Sequence, residues 1–125
     1  MIVGIGTDIV SIPRIEAAWQ RSGERFARRV LTAKEHAVFQ HRKFSIAYLA
    51  TRFAAKEAAS KALGTGIGKV SFQDIEVSNL VSGAPELTFY GAALALQHEK
   101  GITRLHISLS DEKEYAQAFV ILEKD

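Results

Sequence analysis

The chain has 125 residues, 47% of them hydrophobic, and no cysteine; this is enough for one core but not two, and it excludes disulfides, thiolate metal sites and thiol nucleophiles. Net charge is only +2, yet residues 1–61 hold 11 Lys and Arg against 5 Asp and Glu, while residues 62–125 hold 5 against 9, so the front half is expected to meet something anionic. The longest uncharged run, Leu87 to His98, is far too short to cross a membrane, and the apolar start MIVGIGTDIV has no basic leader; residues 1–125 are expected to form a single cytoplasmic domain without membrane contact.

In chain order, MIVGIGTDIV predicts a strand, after which Ser11 can cap a helix over 12–21 with Pro13 in its first turn and Gly23 as its terminator. A short helix is expected over 24–30, and Thr32 with Glu35 has capping-box spacing for another that reaches Gln40. The longest helix should run from Ser45 to Leu63 and end on Gly64 as a left-handed cap. Beyond it, Asp74 to Leu80 alternates as a strand, Ser82 to Pro85 turns, Glu86 to Tyr90 pairs back, and Gly91 to Lys100 is a small amphipathic helix. Two strands, Arg104 to Ser110 and Tyr115 to Leu122, close the chain. The class is α+β, with an antiparallel sheet packed against a long central helix.

One residue breaks the pattern of that helix. Ile46, Leu49, Ala50 and Phe53 recur at i, i+3, i+4 and i+7 on one face, and four residues further the stripe lands on Glu57. A carboxylate drawn into an apolar face must be protonated, paired or metal-bound. Lys61 stands at i+4 in the favourable orientation for a helix ion pair. The other candidate partner is Asp8, which shares a strand face with Gly4 and Gly6, so that a backbone or ligand can come close beside it; alternatively Asp8 is a turn residue ahead of the first helix. Should Asp8 and Glu57 converge, two hard carboxylates without His or Cys favour Mg²⁺ and phosphate chemistry.

The GTGIG segment, Gly64 to Gly68, follows a helix instead of preceding one, so it lacks the positive helix end of a P-loop. Anion binding there would rest on Arg42, Lys43, Arg52, Lys56, Lys61 and Lys69. Arg14, Arg21, Arg25 and Arg28 recur at spacings of seven, four and three, which on a nearly continuous helix makes a basic ridge suited to an acidic partner helix. The rival reading is a non-enzymatic module that binds nucleic acid through this ridge. Against it, the aromatics are not interleaved with the basic residues as stacking platforms would be. Trp19, Phe26 and Phe39 are expected in the core or an interface.

Taken together, GIGTDIVSIPRIE, RFAAKEAASKALGTG, SFQDIEVSNLVSGAPEL and LHISLSDEKEYAQAFVILE resemble, in that order and over nearly the whole chain, the holo-acyl-carrier-protein synthase family of phosphopantetheinyl transferases. The resemblance implies the fold of that superfamily and transfer of the 4'-phosphopantetheine arm of coenzyme A to a serine of apo acyl carrier protein in fatty acid synthesis, releasing adenosine 3',5'-bisphosphate. It implies that Asp8 and Glu57 hold Mg²⁺ and that Lys61 lies beside the pyrophosphate. Gly64, Thr65, Gly66 and Pro85 would line the coenzyme A site, with Lys43, Arg52, His106 and Ser108 around its phosphates and adenine. Arg14, Arg21 and Arg25, continued by Arg28, would receive the acidic helix of the carrier.

The resemblance has two departures: Asp111 stands where many relatives have a second histidine, and Ala84-Pro85 where many have Lys-Pro. The roles of that histidine and that lysine do not carry over. Larger, duplicated relatives build their site between two similar halves, and the small members are trimers. The resemblance therefore implies a homotrimer with its coenzyme site between subunits.

Overall fold

The contact that organises the molecule is between two glycines of a strand and the alanines of a helix. Strand β1, Ile2–Ser11, presents Gly4 and Gly6 to the longest helix, α4, Ile46–Leu63. A Cβ on Gly4 would collide with the carbonyl oxygen of Ala62, and one on Gly6 with that of Ala58. Ala54, Ala55, Ala58, Ala59 and Ala62 line the helix here and are buried, so backbone and strand approach more closely than larger side chains would permit.

The computed structural model describes all residues, 1–125. Before α4 come α1, Ile12–Ser22; α2, Glu24–Val30; and α3, Ala33–His41. After it come a 3-10 turn at Phe72–Asp74, strands β2, Ile75–Asn79, and β3, Pro85–Phe89, helix α5, Gly91–Glu99, and strands β4, Arg104–Asp111, and β5, Tyr115–Glu123. The caps form as their chemistry requires: Ser11 accepts from the Arg14 N–H, Thr32 and Glu35 form a reciprocal capping box, and Gly64 closes α4 in the left-handed region at φ 85°.

The strands divide into a three-stranded antiparallel sheet, order β1-β5-β4, and the antiparallel hairpin β2-β3. One core of 16 buried residues lies between α4 and the sheets, and a second of 10 lies where α1, α2 and α3 pack on the first half of α4. Helix α4 is therefore covered along most of its circumference, with Lys61 as its one exposed residue. This corrects the expectation for Lys56, placed by sequence among exposed anion-binding side chains: it is 0% exposed and paired with Glu35. A two-faced pattern describes a surface helix, and a central one has no solvated face to give away.

Register fixes what each face of the sheet carries. Asp8 is opposite Ala118, itself opposite Leu109, in a row turned toward α4. Thr7, Phe119 and Ser108 form the alternate row, turned away. That outer face exposes Ile5, Ile9, Tyr115 and Phe119. No helix is long and apolar enough to cross a membrane.

Candidate active site

Asp8 and Glu57 converge. Asp8 comes from the α4-facing row of β1 and Glu57 from the adjoining turn of α4, and both line one groove of about 550 Å³ with Arg14, Arg21, Phe26 and Phe53. Burial pushes the Glu57 carboxyl above the usual carboxylate range, the Asp8 charge pushes it further, and Lys61 pulls it back in part.

Lys61 does not form the helix ion pair with Glu57 that its spacing suggested. Its Nζ turns to the strand, donating to the Thr7 carbonyl at 3.0 Å and to Asp8 Oδ1 at 3.2 Å. A strand carbonyl and a carboxylate together offer the ammonium more than one helix neighbour does, and they draw Lys61, half exposed, onto the strand that carries Asp8.

The two acidic side chains suit Mg²⁺, a hard ion that accepts one or two protein carboxylates and takes its other oxygens from water and substrate phosphates. The fit is limited to that mode, since nowhere does the chain gather three or more His, Cys, Asp or Glu side chains able to hold a metal.

A second groove, of about 280 Å³, has Arg42, Tyr48, Arg52, Asn79, Pro85 and Asp111 among its lining residues. The Arg42 and Arg52 guanidiniums stand 5.1 and 4.2 Å from the centre of the Tyr48 ring. Arg52 donates to Asn79 Oδ1 at 2.6 Å, while its Nε is buried without a partner. Burial pulls the Arg52 pKa down, and an anion in the groove would relieve both conditions. Asn79 went unnoticed in the sequence because it stands 27 residues from Arg52, whereas Tyr48, at i−4 to Arg52 on α4, had the helical spacing that could have found it.

The remaining residues are spread more widely. Lys43 lies in the turn after α3 with φ 56°. The loop at Thr65 and Gly66 folds back onto the Ser60 carbonyl. His106 is exposed and pairs with Glu123 Oε1 at 3.0 Å. His106 and Ser108 belong to the outer row of the sheet, across from the face that carries Asp8. The arginine ridge is broken at Gly23, φ 53° and ψ −131°, into two helices; Arg14 and Arg21 reach the Asp8 groove, while Arg25 and Arg28 are exposed on α2.

An α+β chain with two carboxylates and two arginines in one groove carries the charges that phosphate chemistry uses. The family model described as the 4'-phosphopantetheinyl transferase superfamily matches residues 4–120, and the chain belongs to that family. A holo-[acyl-carrier-protein] synthase of Pseudoalteromonas atlantica is 57% identical over 123 residues, 98% of this chain and 97% of the relative. The crystal structure of the holo-[acyl-carrier-protein] synthase from Neisseria meningitidis superposes with a TM-score of 0.93 at 46% identity, covering 99% of this chain and all of that one. That of Helicobacter pylori, in complex with coenzyme A, gives 0.85 at 37% identity over 95% of this chain and 99% of the other.

Proposed function

We infer that the chain is a holo-[acyl-carrier-protein] synthase, which moves the 4'-phosphopantetheine arm of coenzyme A onto a serine of apo acyl carrier protein and releases adenosine 3',5'-bisphosphate. The observation that carries this reading is the meeting of Asp8 and Glu57 beside Arg14 and Arg21, in a chain related over its whole length to such synthases. The relative with coenzyme A bound supports the same substrate here.

Asp8 and Glu57 are the groups that would hold Mg²⁺. When bound there, the ion would supply positive charge against the coenzyme A pyrophosphate. Lys61, held beside Asp8, offsets charge on the departing phosphate as the serine oxygen bonds to phosphorus and the bond to the adenosine bisphosphate breaks. Arg52 and Lys43, with Arg42, receive the nucleotide phosphates, a role supported by the unpartnered Arg52 Nε. Gly64, Thr65, Gly66 and Pro85 line the same substrate. Arg14, Arg21, Arg25 and Arg28 bind the acidic carrier.

His106 and Ser108 enter this scheme through assembly. They lie across the sheet from Asp8, so they serve a site only if another copy brings them to it. The open apolar outer face supports a homotrimer with sites between subunits, working in the cytoplasm on the carrier of fatty acid synthesis. The test is to incubate the protein with apo acyl carrier protein, coenzyme A and Mg²⁺ and to weigh the carrier by mass spectrometry. The carrier gains one phosphopantetheine; an unchanged mass overturns the assignment.

A further inference from the structure

We propose that Lys56, a residue outside the substrate grooves, is a positioning residue that sets the direction of Glu57; this rests on the role given to Glu57 above. Lys56 is wholly buried, and its ammonium is fully satisfied. It donates to the Val30 carbonyl at 2.6 Å, to Glu35 Oε1 at 2.6 Å and to the Phe72 carbonyl at 3.1 Å, which uses all three of its protons. Glu35 is equally committed: Oε1 also accepts the Thr32 N–H at 2.8 Å, and Oε2 accepts the Val77 N–H at 2.7 Å. One charge pair thus ties α4 to the end of α2, the start of α3, the 3-10 turn and β2.

Such a pair is a poor device for stability, because desolvation consumes most of the Coulombic gain and a well-packed apolar pair often does as well. A fully satisfied buried network does restrict the chain to one geometry. Glu57 is the next residue along the helix, turned about 100° from Lys56, so the clamp fixes both the rotation and the height of α4 where Glu57 meets Asp8. It also fixes the surroundings of Glu57: Val30 and Phe72, whose carbonyls hold Lys56, line with Glu57 a largely apolar cavity of about 350 Å³.

The test replaces both charges, Lys56→Met with Glu35→Gln, so that neither is left buried alone. Magnesium binding is measured by calorimetry with coenzyme A present and no carrier, and transfer kinetics separately. The double variant is expected to fold and melt cooperatively, to bind Mg²⁺ about tenfold more weakly, as loss of a ligand-orienting partner does, and to lose kcat while its KM for carrier stays unchanged. Lys56→Arg, which keeps the charge but not the shape of the clamp, is expected to show the same changes to a lesser degree. Parental magnesium affinity and kcat in either variant overturn the proposal. So does failure of both to fold, which would make Lys56 a folding residue only. Glu57→Gln separates the two ideas: if it too binds Mg²⁺ normally, the role of Glu57 fails, whereas weakened binding there beside normal binding in the Lys56 variants removes the positioning role alone.

Discussion

Glu57 occupies a position where folding and chemistry pull in opposite directions. Burial and the Asp8 charge both disfavour its ionised form, so its carboxyl titrates above the ordinary value of about 4.5. A group with a raised native pKa binds protons more tightly folded than unfolded, so its unfavourable contribution is absent below the unfolded value and grows as pH rises through the folded one. Glu57→Gln is therefore expected to melt at or slightly above the parent's temperature at pH 7, with the difference closing below about pH 4.5 in calorimetric scans. The same variant should lose transfer at least about 100-fold by carrier mass analysis, the scale on which removing one electrostatic stabiliser is felt. Loss of stability in step with activity would make Glu57 a structural residue instead. This position was legible in the sequence because a charge on an apolar stripe needs an explanation. The partner of Lys61 was not, since the i+4 rule describes an isolated helix and takes no account of the Thr7 carbonyl on a strand 54 residues away.

Helices and strands were legible nearly to the residue, because caps and turns are local chemistry: Ser11, Thr32, Ser45 and Gly64 mark their helix ends without help from the rest of the chain. What remained hidden was how α4 is enclosed, which depends on three helices and two sheets arriving from elsewhere. The close approach of β1 to α4 gives a sharp expectation. Gly6→Ala places a methyl against the Ala58 carbonyl, which the helix cannot move, and should cost about 3 kcal/mol or more. Gly64→Ala meets no neighbour within 4 Å and costs only its left-handed backbone, about 1 kcal/mol. Denaturant unfolding of the two variants should keep that order; equal losses would mean that packing at Gly6 is looser than described. Helix α1 carries a different burden. Arg21→Glu reverses a charge on the wall of the groove, so the KM for carrier should rise about tenfold, and the rise should shrink in high salt.

At the scale of the whole molecule, a single chain leaves two things incomplete. The outer face of the β1-β5-β4 sheet exposes Ile5 at 58%, Ile9 at 62%, Tyr115 at 52% and Phe119 at 42%, an apolar surface of the kind that marks an interface. His106 and Ser108, proposed to meet coenzyme A and carried on that face, cannot reach Asp8 and Glu57 through their own sheet. Association through the open face answers both needs. Sedimentation should give three times the 13.7 kDa chain mass, and Ile5→Arg, which sets a charge on that face outside the Asp8 groove, should dissociate the assembly and abolish transfer without unfolding the chain. Complementation then tests whether the site is shared. Asp8→Ala and His106→Ala chains should each be inactive alone, and after joint refolding some assemblies hold an intact Asp8 from one copy facing an intact His106 from the next. Recovery of part of the parental transfer is expected in that mixture and in neither variant alone. Mixed assemblies that form and stay inactive would confine each site to one chain and leave the exposed sheet face with a role in assembly only.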